Sequence, residues 1–219
     1  MAHKDDPPYF MYFPGNYRWS AAILSMLSSA PWGGSDIHEV HKIGRALTST
    51  DASSDDAWFE ACVKVAEEVR AQAQRFDTSG HRHSAAPPYL RACKYYQMGE
   101  RFRTPKDARA LHGYRASVEC FHRFVALSDA KIDIVEVPYE GGSLPGYFVH
   151  ARGTTAARTP CVVHFDGLDI TKELLYMRGV PDLARRGIAV LLMDGPGTGE
   201  AIRFRNYYLR PDYEAAGSA

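Results

Sequence analysis

The spacing of apolar residues divides the chain into a helical part and a part with strand-like runs. Residues 20–127 place apolar side chains three and four positions apart, which puts them on one face of an α-helix. After Asp129 the pattern changes to short apolar stretches separated by Gly-rich turns. The boundary is therefore predicted near residues 128–131, between a helical domain (1–129) and a domain with a sheet (130–219).

Successive amphipathic segments predict a helical layer in the first part. A proline inside a helix loses a hydrogen bond and clashes with the preceding turn, so the Pro87-Pro88 pair is expected to start or kink a helix. Thr104 followed by Pro105 is typical of a cap and the first helical position. The predicted helices are 36–47 after a Ser35 cap, 55–74, 89–102, and one after Thr104-Pro105 with an apolar stripe from 111 to 125.

The second part predicts an α/β fold. Two strands, 132–139 and 144–150, are expected to form a hairpin around a Gly141-Gly142 turn. The continuous apolar runs 162–165 and 188–193 are typical of strands buried on both faces. A helix over 171–186, ended by Gly187, would join them as a βαβ crossover in a largely parallel sheet.

Composition narrows the function classes. The chain has 219 residues, with 26 Lys and Arg against 26 Asp and Glu, so no basic excess points to nucleic acid or an anionic membrane. Its apolar runs are too short to span a bilayer, and residues 1–8 lack the apolar core of a signal peptide. Four cysteines without a C-x-x-C pair favour buried reduced thiols in a cytoplasmic protein over disulfides or zinc.

The turn after the first buried strand, residues 164–169, is a candidate oxyanion site. Backbone N–H groups freed where a strand turns into a helix can donate hydrogen bonds to a developing oxyanion. Gly167 or Leu168 would be the donor. An ordinary strand-to-helix turn, with Gly167 chosen for its backbone angles, stays open as the alternative.

The Gly-rich turn at residues 194–200 follows the next strand, at the sheet edge where open α/β sheets bind ligands. A dinucleotide site is disfavoured, because the spacing is G-x-G-x-G and Pro196 removes a backbone N–H that would hold a pyrophosphate. We therefore expect the turn to form a pocket wall and predict no cofactor.

Three other features carry less chemistry. Ser143 lies in the predicted hairpin, where it punctuates a turn and is not a nucleophile. His38 and His41 share a helix face without a third ligand, so no metal site is predicted. The aromatic stretch 9–19 could either line an apolar pocket or pack between elements.

Together these motifs resemble those of the α/β-hydrolases with a helical N-terminal domain. This group includes dihydroxypseudooxynicotine and fungal polyketide-shortening hydrolases and is related to FrsA-type esterases. The resemblance covers essentially the whole chain and rests on YFMYFP at 9–14, YRW at 17–19, APWGG at 30–34, VPYEGGSLPGY at 137–147, FDGLD at 165–169 and DGPGTGE at 194–200.

The resemblance implies a Ser–His–Asp hydrolase without cofactor that cleaves esters or C–C bonds beside ketones, with the helical domain capping the site. It carries over the oxyanion donors Gly167 and Leu168. In the family pattern the nucleophile, acid and base lie beyond residue 219, so the chain would hold the first half of the hydrolase sheet. Apart from this carry-over, we predict that Tyr12, Trp19, Asp166, Asp169 and Gly195 bind the substrate.

An incomplete sheet also bears on partners. An open sheet edge exposes apolar surface and invites association. We therefore expect that the remaining half of the hydrolase is a second polypeptide. We also expect a homodimer and a small-molecule substrate with a carbonyl group. The competing hypothesis is a non-catalytic module that binds a ligand or a partner.

Overall fold

The structure, a computed structural model, describes residues 10–48, 50–51, 54–155, 158–165 and 167–218. It divides into two compact units, Met1–Leu127 and Ser128–Ala219. No helix in the described part of the chain combines the length and apolar character needed to cross a bilayer.

The described residues of the first unit form five α-helices, and the three longest make most of the contacts between them. Trp58 is fully buried there, and its indole N–H donates to the carbonyl oxygen of Met98 at 2.6 Å. The helices are α1 (Tyr17–Leu27), α2 (Ile37–Leu47), α3 (Asp55–Thr78), α4 (Arg82–Glu100) and α5 (Ala108–Leu127), with a short 3-10 helix at Ala30–Trp32. The helical character predicted for residues 20–127 is confirmed.

Two predicted caps are wrong by a few residues. Asp36, not Ser35, caps α2, because its carboxylate accepts hydrogen bonds from the backbone N–H groups of His38 and Glu39. Thr104 and Pro105 lie in the loop before α5. Asp107 occupies the capping position there, accepting from the N–H of Ala110 at 2.9 Å. In both places an aspartate at the residue just before the helix accepts hydrogen bonds from the free amides of the first turn.

The predicted start of α4 is also wrong. The helix begins at Arg82, so Pro87 and Pro88 lie inside it. Neither proline can donate to the carbonyl one turn earlier, which weakens the helix locally. Pro88 is buried together with Ala85 and Ala86, and α4 packs between α3 and α5. Burial of this apolar face offsets the lost backbone hydrogen bonds.

The second unit contains a four-stranded sheet with the order β1-β2-β4-β3. Its strands are β1 (Ile132–Tyr139), β2 (Gly142–Val149), β3 (Cys161–His164) and β4 (Ala189–Met193). β1 and β2 form the predicted hairpin, and β2 also pairs antiparallel with β4. Among the described strands only β3 and β4 are parallel, so the sheet is mixed and not largely parallel as expected.

Backbone angles correct two further boundaries. The hairpin turns at Glu140 and Gly141, both with positive φ. Gly142 is already the first residue of β2, where it pairs with Tyr139 of β1. The predicted helix over 171–186 is two helices, α6 (Lys172–Tyr176) and α7 (Val180–Arg185). Gly179 separates them because its φ of 91° is left-handed and ends the helical path. Two short helices complete the unit, α8 (Gly199–Arg205) and α9 (Glu214–Gly217).

β3 was expected to be buried on both faces, and this is wrong. Val162 and Val163 are 40% and 54% exposed, whereas β4 is buried nearly throughout. β3 pairs with β4 on one side and has no partner strand among the described residues on the other. Cys161, on the same strand, is exposed, while Cys62, Cys93 and Cys120 are buried thiols as predicted.

Candidate active site

The loop between β3 and α6, residues 165–171, carries the predicted oxyanion donors. Its backbone turns at Gly167, whose carbonyl oxygen accepts from the N–H of Ile170 at 3.3 Å. The Leu168 side chain is 59% exposed. The Leu168 amide donates to no acceptor among the described residues. The loop therefore presents a backbone N–H that a ligand oxygen can use.

The Gly-rich turn after β4 is shaped by close neighbours. A side chain on Gly195 would collide with the hydroxyl of Tyr213, and one on Gly197 with Leu209. At Gly199 the obstacle would be the carboxylate of Asp194. Each glycine of the motif thus leaves room for another part of the same unit, which explains the spacing without a bound phosphate.

Residues 207–213, here called the strap, lie directly on this turn. The N–H of Gly197 donates to the carbonyl oxygen of Tyr207 at 2.8 Å. At the other end of the strap, the rings of Tyr213 and Phe165 lie 5.6 Å apart. The strap therefore contacts both the Gly-rich turn and the β3–α6 loop.

These three segments line an open cavity of about 400 Å³, and all of its described lining residues belong to the second unit. Its lining residues are Phe165, Gly167, Leu168, Pro196, Thr198, Leu209 and Tyr213. The Thr198 hydroxyl donates to the carbonyl oxygen of Gly195 at 2.9 Å. Burial and the nearby Asp194 raise the pKa of Tyr213, so this phenol stays neutral at physiological pH. The cavity can accept an uncharged group beside Leu168.

Beneath the two loops lies a buried ionic network centred on Lys172. The side chain is 1% exposed, and its ammonium lies 2.7 Å from Glu173 and 2.9 Å from Asp194. Glu200 supplies a third carboxylate, and the Tyr147 hydroxyl donates to Glu173 at 2.8 Å. Burial alone would lower the pKa of Lys172, but Asp194, Glu173 and Glu200 outweigh it and raise that pKa, so the lysine is charged.

Asp194 connects the two loops through its carboxylate. One oxygen accepts from the backbone N–H of Lys172 at 2.8 Å, and the other accepts from the N–H of Glu200 at 3.0 Å. Burial raises the pKa of Asp194, whereas the Lys172 ammonium opposes that shift. The end of β4 is thereby tied to the first residues of both α6 and α8, which fixes the loops that line the cavity.

The predicted substrate-binding residues are distributed over both units. In the first unit, the Tyr12 hydroxyl lies 2.6 Å from Nδ1 of His41, and Trp19 is buried against Phe13 and Trp58.

In the second unit Asp169 is exposed, Gly195 is buried beneath Tyr213, and Asp166 lies outside the described residues. The structure brings Gly167 and Leu168 together with the Gly-rich turn at the cavity. Asp169 and Gly195 are not among the described residues that line it. The substrate-binding roles of these residues remain predictions.

Sequence reasoning missed the strap and the network around Lys172. A Lys-Glu pair immediately after a strand and turn is an unusual start for a buried helix, and Asp194 and Glu200 flank the glycines. Charged residues almost never become fully buried unless they are paired. That pattern could have suggested an ion pair, but its members come from three separate segments, which are α6, the turn after β4 and α8.

Comparison with known proteins finds relatives that match most of the chain in sequence. It is 34% identical over 207 residues to the hydrolase LUC6 of Fusarium sp, a match that covers 92% of this chain and 48% of that protein. It is 29% identical to the α/β-hydrolase ucsC of Acremonium sp, covering 94% of this chain and 45% of that protein. The chain is related to the α/β-hydrolases.

The solved structures agree on the fold. The 2,6-dihydroxy-pseudo-oxynicotine hydrolase matches with a TM-score of 0.71 and 23% identity, over 88% of this chain and 51% of that one. The resemblance predicted from the sequence is confirmed, as is the fold class of a helical region followed by part of an α/β-hydrolase sheet. No protein-family model matches the chain. The chain spans about half the length of the curated proteins it matches.

Proposed function

We propose that the chain forms part of a serine hydrolase that cleaves an ester or a C–C bond beside a ketone, as in a β-diketone. Residues 1–129 would be the helical cap and residues 130–219 the first part of the hydrolase domain. The observation that carries this proposal is that Leu168, whose amide donates to no acceptor among the described residues, lines an apolar cavity together with residues of the Gly-rich turn and the strap.

In the proposed mechanism a serine oxygen attacks the substrate carbonyl and forms a tetrahedral intermediate. The negative oxygen accepts a hydrogen bond from the backbone N–H of Gly167 or Leu168. A histidine takes the serine proton and then returns it to the leaving group. For a β-diketone the bond between the attacked carbonyl carbon and the carbon next to it breaks. The electron pair of that bond stays with the leaving carbon, which departs as an enolate and receives this proton. Water then releases the acyl group from the serine.

The proposal assigns the nucleophile, base and acid to a second polypeptide, the remaining half of the same hydrolase. Two observations support this division. The chain spans about half the length of its curated relatives. The apolar edge of β3 is exposed at Val162 and Val163, which suits a further strand. We further propose a cytoplasmic homodimer, with Tyr12, Trp19, Asp166, Asp169 and Gly195 contributing to substrate binding.

Denaturing intact mass spectrometry of the purified protein tests the assignment, after treatment with a fluorophosphonate that labels active serines. We expect the 24.4 kDa chain without label. Beside it we expect a second polypeptide whose mass rises by one probe. A sample holding the 24.4 kDa chain alone, with no labelled serine, would contradict the proposal. It would favour the competing hypothesis of a non-catalytic binding module.

A further inference from the structure

We infer that the cavity beside the Leu168 amide selects an uncharged, hydrocarbon-rich part of its substrate, with Leu209 of the strap as the main specificity-determining residue. The inference rests on the proposed function in one respect, namely that the Leu168 amide holds the carbonyl group of the substrate. The preference for a neutral hydrocarbon group rests on the cavity itself.

The first support is the size and chemistry of the lining. Small-molecule pockets typically measure about 300–1,000 Å³ and combine apolar walls with a few polar groups. This cavity, about 400 Å³, falls in that range. No charged side chain is among the described residues that line it. A charged ligand group would therefore lose part of its water without gaining an ionic partner among these described lining residues, which is costly.

The second support is the position of two exposed leucines. Leu168 on the β3–α6 loop is 59% exposed and Leu209 on the strap is 56% exposed, and both line the cavity. Large apolar side chains that converge on one cavity are typical of a ligand site. A hydrocarbon group bound between them would remove both from water.

The third support is that neighbouring charges are paired elsewhere. Lys172 and Asp194 are buried and bound to each other below the loops. Arg210, next to Leu209 in the strap, pairs with Glu140 and Asp212. These contacts leave the apolar walls of the cavity as the surface that a ligand meets.

A binding titration on the 219-residue chain tests the inference with two probes of similar shape. We expect the neutral ketone 2-acetylnaphthalene to bind at a single site, and the anion 2-naphthoate to bind about tenfold more weakly, a difference of about 1.4 kcal/mol. Leu209→Asp should weaken ketone binding by a similar factor, because it places a charge in the apolar wall. The matched control is Leu24→Asp on α1, where the leucine is 43% exposed in the other unit.

A second variant fills the cavity from the opposite wall. A Cβ at Gly167 would meet no atom within 4 Å, so Gly167→Leu should fold. Because Gly167 lines the cavity, the added side chain should crowd it and weaken ketone binding. Equal affinity for both probes, no ketone binding, or binding that survives both cavity variants would overturn the inference. Because binding needs no serine, ketone binding in a purified sample in which no polypeptide takes up the fluorophosphonate would refute only the proposed function. An active hydrolase indifferent to Leu209→Asp would refute only this inference.

Discussion

Single residues set the geometry of the site, and Leu168 does so through its backbone. Because the proposed oxyanion donor is a backbone N–H, every substitution except proline keeps it. The exposed side chain can then be changed separately from the amide. This separation allows a direct test of the oxyanion role.

We predict that Leu168→Pro lowers kcat of the assembled hydrolase by about 10²–10³-fold, the usual loss when one oxyanion donor is removed. Leu168→Ala, which keeps the N–H, serves as the control and should retain kcat within about tenfold, since the truncated side chain acts mainly on binding. Steady-state kinetics on the same ester or diketone measures both variants. Equal losses of kcat in the two would show that the Leu168 amide does not stabilise the oxyanion.

The buried lysine gives a second prediction at this scale. Lys172→Met would leave Asp194, Glu173 and Glu200 without their shared cation, and breaking a buried ion pair in this way costs about 3–5 kcal/mol. Urea denaturation measures the loss in free energy of unfolding. Lys42→Met provides the control, because the Lys42–Glu68 pair is exposed and should contribute less than about 1 kcal/mol. Similar losses in both variants would rule out a stabilising role for the network.

At the scale of elements, periodicity predicted the helices and strands but not all of their limits. Apolar spacing is a property of the chain itself, so β1 is predicted with both of its ends. The start of α4 could not be predicted in this way, because Pro87 and Pro88 are tolerated inside the helix only through packing against helices distant in sequence. The exposure of β3 likewise depends on which strands pair with it, and local sequence does not encode that.

The hairpin and α8 are joined by an ion pair with a predictable pH dependence. Arg205 on α8 binds Glu136 on β1, and this contact, assisted by Ser143, lowers the pKa of Glu136 from its ordinary value of 4.5 to about 2. A carboxylate whose pKa is lowered by folding contributes stability above its unfolded pKa, and loses that contribution as the pH falls toward the folded value.

We therefore predict that Glu136→Gln lowers the free energy of unfolding at pH 7 and has a shrinking effect between pH 4.5 and pH 2. The loss should be small, because the Glu136 side chain is 52% exposed and solvent screens the pair. Urea titrations across this pH range measure it. In an Arg205→Ala background the substitution should have almost no effect. A constant difference at every pH would contradict the assignment.

At the scale of the whole molecule, the candidate site was predicted in outline only. The oxyanion loop and the Gly-rich turn are continuous motifs, so Gly167, Leu168 and Gly195 could be selected from sequence. The strap and the partners of Lys172 come from segments far apart in the chain, and only the fold brings them together. The two motifs do not include the strap, which forms the opposite wall of the cavity. That wall decides which kind of substrate group the cavity admits.

The exposed edge of β3 gives the last prediction, which concerns association. β3 has no second partner strand among the described residues, and its two exposed valines make this edge a template for another strand. We predict that the 219-residue chain alone associates as its concentration rises, and that Val163→Lys suppresses this association, because a lysine on an edge strand opposes pairing. Sedimentation velocity measures both. Ile37→Lys on α2, where the isoleucine is 64% exposed, is the control and should leave association unchanged. A wild-type chain that stays monomeric throughout would contradict the role of the edge and weaken the proposal of a second polypeptide that covers it.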